Sequence, residues 1–190
     1  EIDIQSESNS LSVSSDCADI TFDNCRIEAT ETGLESYAKN TTVKNSYVKG
    51  NNCIVLNSSE CTVYNSHVLG NDTAISSVGS DNAVNNNTVF ASPSGNGILI
   101  DSGSVNSLLS YNVITGSKAS IAVNGATNTV VLFNSVYDVE AVENVNLYIV
   151  ENSIGGALDL NGNNYLLCDA NTYDDNGRDH TLISVNNENT

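Results

Sequence analysis

Residues 43–48 read VKNSYV and residues 63–68 read VYNSHV, so the same order of apolar and polar residues returns after 20 positions. Six more copies follow the same order: FDNCRI at 22–27, VNNNTV at 84–89, LSYNVI at 109–114, VLFNSV at 131–136, IVENSI at 149–154 and CDANTY at 168–173. The copies begin at Phe22, Val43, Val63, Val84, Leu109, Val131, Ile149 and Cys168, with spacings of 21, 20, 21, 25, 22, 18 and 19 residues. A pitch this regular indicates a solenoid, in which each repeat packs on its neighbours.

Short apolar runs between the repeats predict a second set of strands. They are CIVL at 53–56, TAIS at 73–76, GILI at 97–100, IAV at 121–123, ALDL at 157–160 and LISV at 182–185. No run is long enough for a helix, and Asn and Ser, which favour turns, occur 30 and 25 times. The sequence therefore predicts an all-β chain, a right-handed parallel β-helix (β-solenoid) of about eight coils that forms one domain over residues 1–190, either whole or as part of a longer solenoid.

One polar position recurs two residues before the end of each repeat. It is occupied by Cys25, Ser46, Ser66, Asn87, Asn112, Asn134, Asn152 and Asn171. In a stacked solenoid these eight residues fall in one column, and stacked Asn side chains can hydrogen-bond along the axis. We interpret the column as a structural ladder without chemistry of its own.

The repeats resemble those of the pectate-lyase-like superfamily of right-handed parallel β-helices. The V-x-N-S-x-V units and the GI-x-L strands between them are most similar to Asn-rich repeats, such as those of periplasmic copper-maturation-type proteins and of adhesin-like and sheath-like surface proteins of archaea. The resemblance covers about residues 11–185 and implies the fold. It leaves function open, because the superfamily includes lyases, hydrolases, phage spikes, adhesins and wall proteins.

The net charge of −17, with six Lys and Arg against 23 Asp and Glu, limits the partners. Nucleic acid needs a basic surface, and an anionic membrane surface repels an acidic one. No segment is apolar and long enough to insert into a bilayer. We expect an extracellular or cell-surface protein whose partners are copies of itself, neighbouring surface components or glycans.

Catalytic and metal-binding patterns are sparse. The chain has no Gly-x-Ser-x-Gly motif, and its two histidines, His67 and His180, have no zinc-ligand spacing. Lyases of the superfamily use a basic residue with acidic residues that hold Ca²⁺, and the hydrolase pattern of grouped Asp with Gly-His-Gly is absent. We therefore expect no enzyme and no cofactor, apart from a weak Ca²⁺ candidate. That candidate comprises Asp169, Asp174, Asn176 and Asp179, whose spacing departs from the full calcium-loop pattern.

Two kinds of covalent modification are compatible with the sequence. The five cysteines, Cys17, Cys25, Cys53, Cys61 and Cys168, are disulfide candidates, but their odd number leaves at least one thiol free or bonded to another chain. No cysteine has an obvious partner one coil away, so buried free thiols and links between chains both stay open. Four Asn-x-Ser/Thr sequences make Asn40, Asn57, Asn71 and Asn86 glycosylation candidates if the protein is secreted in a glycosylating organism.

Three functions remain. One is a ligand- or metal-handling periplasmic repeat protein, which predicts grouped His, Met or Cys ligands in a chain that has no Met. The favoured one is a self-assembling structural protein, an adhesin or sheath component with amyloid-like stacking through exposed β edges, because neither terminus carries an amphipathic helix as a cap. The alternative is a carbohydrate-active enzyme or a polysaccharide-binding module. That alternative predicts aromatic and acidic residues clustered on one strand face, for which Tyr37, Tyr47 and Tyr64 are the aromatic candidates.

Overall fold

The chain winds into a solenoid with three β-strands in most of its coils. The computed structural model describes residues 2–9 and 11–173, together with the backbone of residues 183–185. This part of the chain contains 24 strands, numbered β1 to β24 in chain order, and no helix. Every pairing among these strands is parallel, and the paired strands come from successive coils.

The strands stack into three faces, called sheets 1, 2 and 3. Sheet 1 contains β1 (Ile2–Ser6), β4 (Cys25–Ala29), the first parts of β7 (Tyr47–Leu56) and β9 (His67–Ser77), β11 (Thr88–Ala91), β14 (Val113–Thr115), β17 (Ser135–Val136), β20 (Ser153–Ile154) and β23 (Thr172–Tyr173). Sheet 2 contains β2 (Leu11–Val13), β5 (Thr32–Ser36), the second parts of β7 and β9, β12 (Asn96–Ile100), β15 (Ala119–Asn124), β18 (Val139–Val142), β21 (Leu158–Asn161) and β24 (Ile183–Val185). Sheet 3 contains β3 (Thr21–Asp23), β6 (Thr42–Lys44), β8 (Thr62–Tyr64), β10 (Ala83–Asn85), β13 (Leu108–Ser110), β16 (Thr127–Leu132), β19 (Val145–Val150) and β22 (Asn164–Asp169).

The eight residues that begin the sequence repeats form one continuous column on sheet 3. Phe22 pairs with Val43, and the same register continues through each coil until Ile149 pairs with Cys168. The solenoid is right-handed and has about eight turns, with the hand that parallel crossovers adopt. The predicted right-handed parallel β-helix is therefore confirmed.

Each sheet contributes an inward-facing apolar column to the core, and sheet 2 adds a second one that contains Leu56, Ile100, Val123, Ala141 and Leu160. Sheet 1 contributes Ile27, Val48, Val68, Val89, Ile114, Val136 and Ile154; sheet 2 contributes Leu34, Ile54, Ile75, Ile98, Ile121, Val139 and Leu158; sheet 3 contributes Val43, Val63, Val84, Leu109, Val131, Ile149. Burying each such side chain stabilises the fold by about 1.5–3 kcal/mol. Branched side chains suit this interior because they pack well on a pleated surface.

The predicted polar column lies at the corner between sheets 3 and 1. The backbone N–H of each residue in the column donates to the side chain of the column residue in the next coil. The first of these bonds joins Cys25 N to Ser46 Oγ at 3.1 Å, and the last joins Asn152 N to Asn171 Oδ1 at 2.9 Å. From Asn87 onward each side-chain amide in the column also donates to a backbone carbonyl of the preceding coil. The ladder thus satisfies backbone groups that the corner would otherwise leave unpaired in the interior.

The residue before each ladder position adopts a left-handed backbone conformation. Asn24, Asn45, Asn65 and Asn86 fill this position in the earlier coils, and Tyr111, Phe133, Glu151 and Ala170 fill it in the later ones, with φ between 50° and 55°. Asn tolerates this conformation because its side chain bonds locally, whereas an aromatic residue has no such compensation. The corner geometry is therefore maintained even where the residue does not favour it.

Candidate functional site

All five cysteines are free thiols in the structure. Cys25 lies at the corner of sheets 3 and 1, Cys53 between sheets 1 and 2, and Cys61 between sheets 2 and 3. Stacked coils bring together only residues at the same corner, so these three cysteines are not placed to form disulfides with one another. Cys17 and Cys168 are exposed, and a link from either to another chain stays a prediction.

Burial makes one of these thiols inert. Cys53 is buried, and its Sγ donates to the carbonyl oxygen of Leu69 at 2.8 Å. Burial raises the pKa of the Cys53 thiol to about 12, because the thiolate would lose its hydration. Cys53 therefore serves as a small core residue at the corner of sheets 1 and 2.

The calcium candidate is only partly within the described residues. Asp169 is exposed, and its Oδ1 accepts the N–H of Ala170 at 2.8 Å. Asp174, Asn176 and Asp179 lie outside the described residues, as does His180. Among the residues that the structure describes, no three His, Cys, Asp or Glu side chains are placed to hold a metal ion. Calcium binding stays a prediction.

The four glycosylation candidates all lie at or near corners. Asn40, Asn71 and Asn86 are exposed, whereas Asn57 is half-buried. Asn40 Nδ2 donates to Asp19 Oδ1 at 2.6 Å, and Asn57 Nδ2 donates to Glu35 Oε1 at 3.2 Å. A glycan on either amide would have to replace these bonds, and modification of all four stays a prediction.

The proposed aromatic patch of Tyr37, Tyr47 and Tyr64 does not exist, which corrects that prediction. Tyr37 follows sheet 2, Tyr47 lies on sheet 1 and Tyr64 lies on sheet 3, so the three rings occupy different sides of the solenoid. Proximity in sequence was misleading, because the chain crosses all three sheets within one coil. Tyr47 instead stacks on His67 of the next coil, with ring centroids 5.8 Å apart. The Arg26 guanidinium of the preceding coil lies 5.0 Å from the centroid of the Tyr47 ring.

Aromatic and acidic residues do meet at a different place, the corner of sheets 1 and 2 in the later coils. A concavity of about 290 Å³ there is lined by Tyr137, Asp138, Glu140, Asp159, Lys118 and Gly156, among others. Glu140 on β18 and Asp159 on β21 are direct register partners. Their Cα atoms are therefore about 4.8 Å apart, and Asp138 lies at the corner just before β18, two positions before Glu140. We call this set of three carboxylates the acidic concavity.

The backbone of Asp138 is fixed from the preceding coil. The buried Ser120 hydroxyl accepts the N–H groups of Tyr137 at 2.9 Å and Asp138 at 3.2 Å. The Asp138 carbonyl in turn accepts the N–H groups of Ser120 and Ile121 at 3.1 and 3.2 Å. This exchange holds the chain at the corner and aims the Asp138 side chain toward the following coil.

The Asp138 carboxylate is fixed from the following coil. Its Oδ1 accepts the backbone N–H of Ala157 at 2.5 Å. Gly156 makes the approach feasible, because a Cβ at this position would lie 2.4 Å from Asp138 Oδ1 and 2.9 Å from the Tyr137 ring. One carboxylate of the concavity is thus rigidly positioned on strand ends, as catalytic or binding groups need to be.

The arrangement suits hydrolysis of a glycosidic bond. That reaction uses two carboxyl groups about 5–10 Å apart, one to donate a proton and one to act as base or nucleophile. Glu140 and Asp159 lie opposite each other on neighbouring strands, and Asp138 lies two positions before Glu140, so the three carboxylates occupy adjacent positions on the concavity. Two carboxylates directly opposite on neighbouring strands also repel, so the pair of Glu140 and Asp159 is costly for folding alone.

Sequence reasoning overlooked these residues because they match no local motif. Glu140 and Asp159 are 19 residues apart, which equals the last spacing between repeats, from Ile149 to Cys168. Aligning every acidic residue on the local pitch would have brought the two together. Their convergence with Asp138 also depends on the corner geometry, which the pitch does not contain.

The family of the chain follows from a match between most of its sequence and a family model. Residues 2–136 match the model of the right-handed β-helix region. The chain belongs to the right-handed β-helix family. No curated protein is significantly similar to this β-helix in sequence.

Two solved structures resemble this β-helix closely in shape. One is DFA-IIIase from Arthrobacter chlorophenolicus A6 in complex with GF2, with a TM-score of 0.61 and 10% identity over 93% of this chain and 68% of that one. The other is the enzymatically active domain of tailspike protein 2 from bacteriophage CBA120, with a TM-score of 0.58 and 9% identity over 90% of this chain and 39% of that one. At such identities the likeness shows the fold alone.

These neighbours overturn the expectation that the chain is not an enzyme. That expectation rested on missing motifs, yet both neighbours are named as enzymes and carry the same fold. A missing motif is weak evidence on a β-helix, because residues from different coils can build a site without any sequence pattern. Within the described residues, no helix has the length and apolar character to cross a membrane.

Proposed function

We propose that this β-helix is a carbohydrate-active protein that binds a polysaccharide at the acidic concavity and hydrolyses its glycosidic bonds. The observation that carries the proposal is the meeting of three carboxylates, a tyrosine and a lysine in one concavity on the outer surface of the solenoid. Aromatic and acidic residues clustered on one strand face are what the carbohydrate function requires. The fold shared with two proteins named as enzymes gives further support.

Each carboxylate has a distinct role in the proposal. Asp138 acts as the base or nucleophile, because the Ala157 N–H holds its carboxylate in place. Glu140 and Asp159 share the second role and supply the proton to the leaving oxygen. Tyr137 contributes an apolar ring edge and a hydroxyl to the sugar. The preferred polymer is neutral, because a chain with a net charge of −17 repels an anionic glycan.

The experiment measures release of reducing ends from a panel of neutral polysaccharides by the wild-type chain and by Asp138→Asn, Glu140→Gln and Asp159→Asn. We expect Asp138→Asn to lower the rate by about 10²–10⁴-fold, as loss of an acid or base group does. Asp16→Asn is the control, since it removes the same charge from an exposed position in the first coil. Rates that stay unchanged in all three variants would refute the proposal.

Binding is measured in parallel, because a polysaccharide-binding module would bind without cleaving. Affinity that is lost in Asp138→Asn and Glu140→Gln, with no cleavage by any chain, would reduce the proposal to binding alone. Neither cleavage nor binding across the panel would overturn it entirely.

The self-assembling surface role remains a second proposal. Its support is the resemblance of the repeats to adhesin-like and sheath-like proteins, together with parallel sheets whose edge strands are the first and last of each stack. Electron microscopy of native material, with SDS resistance compared with and without reductant, tests it. Ordered fibres or sheets are expected, and discrete particles that dissolve easily would count against it.

A further inference from the structure

The outer surface of sheet 3 changes character halfway along the solenoid. In the early coils it carries Thr42 and Thr62, which lie in the same register column as Leu108 and Tyr148 of the later coils. In the last described coil β22 exposes Tyr165 and Leu167, and the three coils before it expose six apolar side chains on this sheet and on the adjoining corner and edge of sheet 1. They are Leu108 (37% exposed), Tyr111 (57%), Val113 (47%), Phe133 (39%), Val145 (38%) and Tyr148 (42%). We call these six residues the apolar face.

The apolar face is not a requirement of the fold. In the register columns that hold Tyr111 and Val113, the third coil has Asn65 and His67, and the solenoid stacks there with the same spacing. The rings of Tyr111 and Phe133 stack on each other with centroids 5.0 Å apart, yet both stay largely in water. Packing within the chain therefore does not account for them.

The backbone makes these two aromatic residues more unusual. Tyr111 and Phe133 both have φ of 55°, a conformation that bulky residues avoid and that Asn adopts readily. A strained residue persists where its side chain has a use. Because the two rings are exposed, that use is contact with something outside the chain.

The distribution of charge points to a second copy of the chain as the partner. Residues 102–137, which hold four of the six side chains of the apolar face, contain one charged residue, Lys118, in a chain with 23 acidic residues. The other two, Val145 and Tyr148, lie between Glu143 and Glu151 at its border. Lys118 lines the acidic concavity and lies away from the apolar face. Two chains of charge −17 repel almost everywhere, and the apolar face is the surface where that repulsion is weakest.

The size of the apolar face also fits a pair. The six exposed side chains present on the order of 500 Å² of apolar surface, at the upper end of what a monomer leaves in water. Two such faces bury roughly 1,000 Å² together, which is the lower limit of a specific interface. A two-fold axis brings the same patch from each chain together.

We propose that two copies of this chain associate side by side through the apolar face, with Tyr111 and Phe133 at its centre. The contact leaves the acidic concavity open, because the concavity lies at the corner of sheets 1 and 2. The inference is therefore independent of the proposed activity.

The test is sedimentation velocity with light scattering over a series of protein concentrations. The wild-type mass rises with concentration from 20.0 kDa toward twice that value. The double variant Tyr111→Asn/Phe133→Asn stays monomeric at every concentration. It should fold well, because Asn occupies this position in the earlier coils, and far-UV circular dichroism verifies that it does. Tyr37→Asn is the matched control, since it removes a ring of similar exposure from another side of the solenoid, and it should associate like the wild type.

Salt supplies a second readout. Added NaCl screens the repulsion between two acidic chains, so the associated fraction rises with ionic strength. A wild-type chain that stays monomeric, a double variant that associates equally, or a complex that salt dissociates would each overturn the proposal. A monomeric wild type whose affinity for a glycan falls in the double variant would also overturn it and assign the apolar face to carbohydrate.

Discussion

Individual asparagines have two separate uses in this chain. At the left-handed corner positions, such as Asn45 and Asn65, the residue tolerates positive φ and its amide bonds the neighbouring coil at 2.6 Å. In the buried ladder, such as Asn112 and Asn134, the amide oxygen accepts a backbone N–H and the amide nitrogen donates to a carbonyl. The high Asn content predicted turns and a ladder. In the structure, the corner position with positive φ and the buried ladder position are consecutive residues of each repeat.

The buried ladder predicts a large effect of one substitution. Asn134→Ala removes the acceptor of the Asn112 N–H at 2.9 Å and the donor to Leu109 O at 2.9 Å, and both groups remain buried. We expect the free energy of unfolding to fall by about 2–4 kcal/mol, since each unpaired group costs about 1–3 kcal/mol. Urea unfolding followed by circular dichroism measures it.

Ser135→Ala is the control for that substitution, because Ser135 is the exposed neighbour on the same coil. Its effect should stay within about 0.5 kcal/mol. Equal losses for the two variants would show that the ladder contributes nothing beyond local packing.

The cysteines predict a two-step reaction with a thiol reagent. Cys17 and Cys168 are exposed and react at once in the native state, whereas Cys25, Cys53 and Cys61 are buried and react only after unfolding. For Cys53 the pKa of about 12 adds to the protection, because almost no thiolate forms at pH 8. Absorbance at the native endpoint and after adding denaturant counts both classes. Fast reaction of all five thiols in the native state would contradict the burial.

At the scale of the elements, the corner between sheets 2 and 3 has a less regular polar column than the ladder corner. Thr41, Cys61, Asn82, Ser107 and Thr129 occupy it in successive coils. The Thr41 hydroxyl donates to Ala38 O at 2.9 Å and contacts Ser36 Oγ at 2.7 Å. The hydroxyl oxygens of Ser107 and Thr129 are buried without a hydrogen-bond partner among the described residues.

This contrast predicts opposite effects for the same substitution at two coils. Thr129→Val removes an unpaired buried hydroxyl and should raise the free energy of unfolding by about 1 kcal/mol. Thr41→Val removes a bonded hydroxyl from the same column and should lower it by about 1–2 kcal/mol. Urea unfolding of both variants measures the difference. A loss of stability in Thr129→Val as large as that in Thr41→Val would show that the Thr129 hydroxyl has a partner, such as a buried water.

For the whole molecule, self-repulsion of the net charge of −17 opposes compaction. The described ion pairs are few and exposed, such as Lys39 with Glu60 at 2.8 Å and Lys44 with Asp23 at 3.3 Å, so they offset little of it. Stability therefore comes from the apolar columns of the core and from the corner ladders, which repeat coil after coil.

Salt should consequently stabilise the molecule. Raising the NaCl concentration screens the repulsion among carboxylates, and the thermal midpoint should rise by several degrees. Differential scanning calorimetry measures the shift. CaCl₂ at matched ionic strength is the control, and a larger rise with CaCl₂ would favour the calcium prediction at Asp169 over simple screening. A midpoint that does not respond to NaCl would contradict the account.

The sequence by itself determined the fold. The apolar positions recur every 18–25 residues, and a parallel solenoid is the arrangement that buries all of them, which aligns Phe22 with Val43 and each later pair without further information. The ladder from Cys25 to Asn171 follows from the same count, since residues at a fixed offset from a stacked position also stack.

Only the tertiary structure decided which side of the solenoid each remaining residue occupies. Because the chain turns at each corner after a different number of residues, Tyr37, Tyr47 and Tyr64 lie on different sides of the solenoid, although they are close in sequence. The same corners bring Asp138, Glu140 and Asp159 into one concavity across two coils. Pitch fixes which residues stack, but the path of the backbone at each corner fixes the direction they face, and that path depends on bonds such as Ala157 N–H to Asp138 that form only in the folded chain.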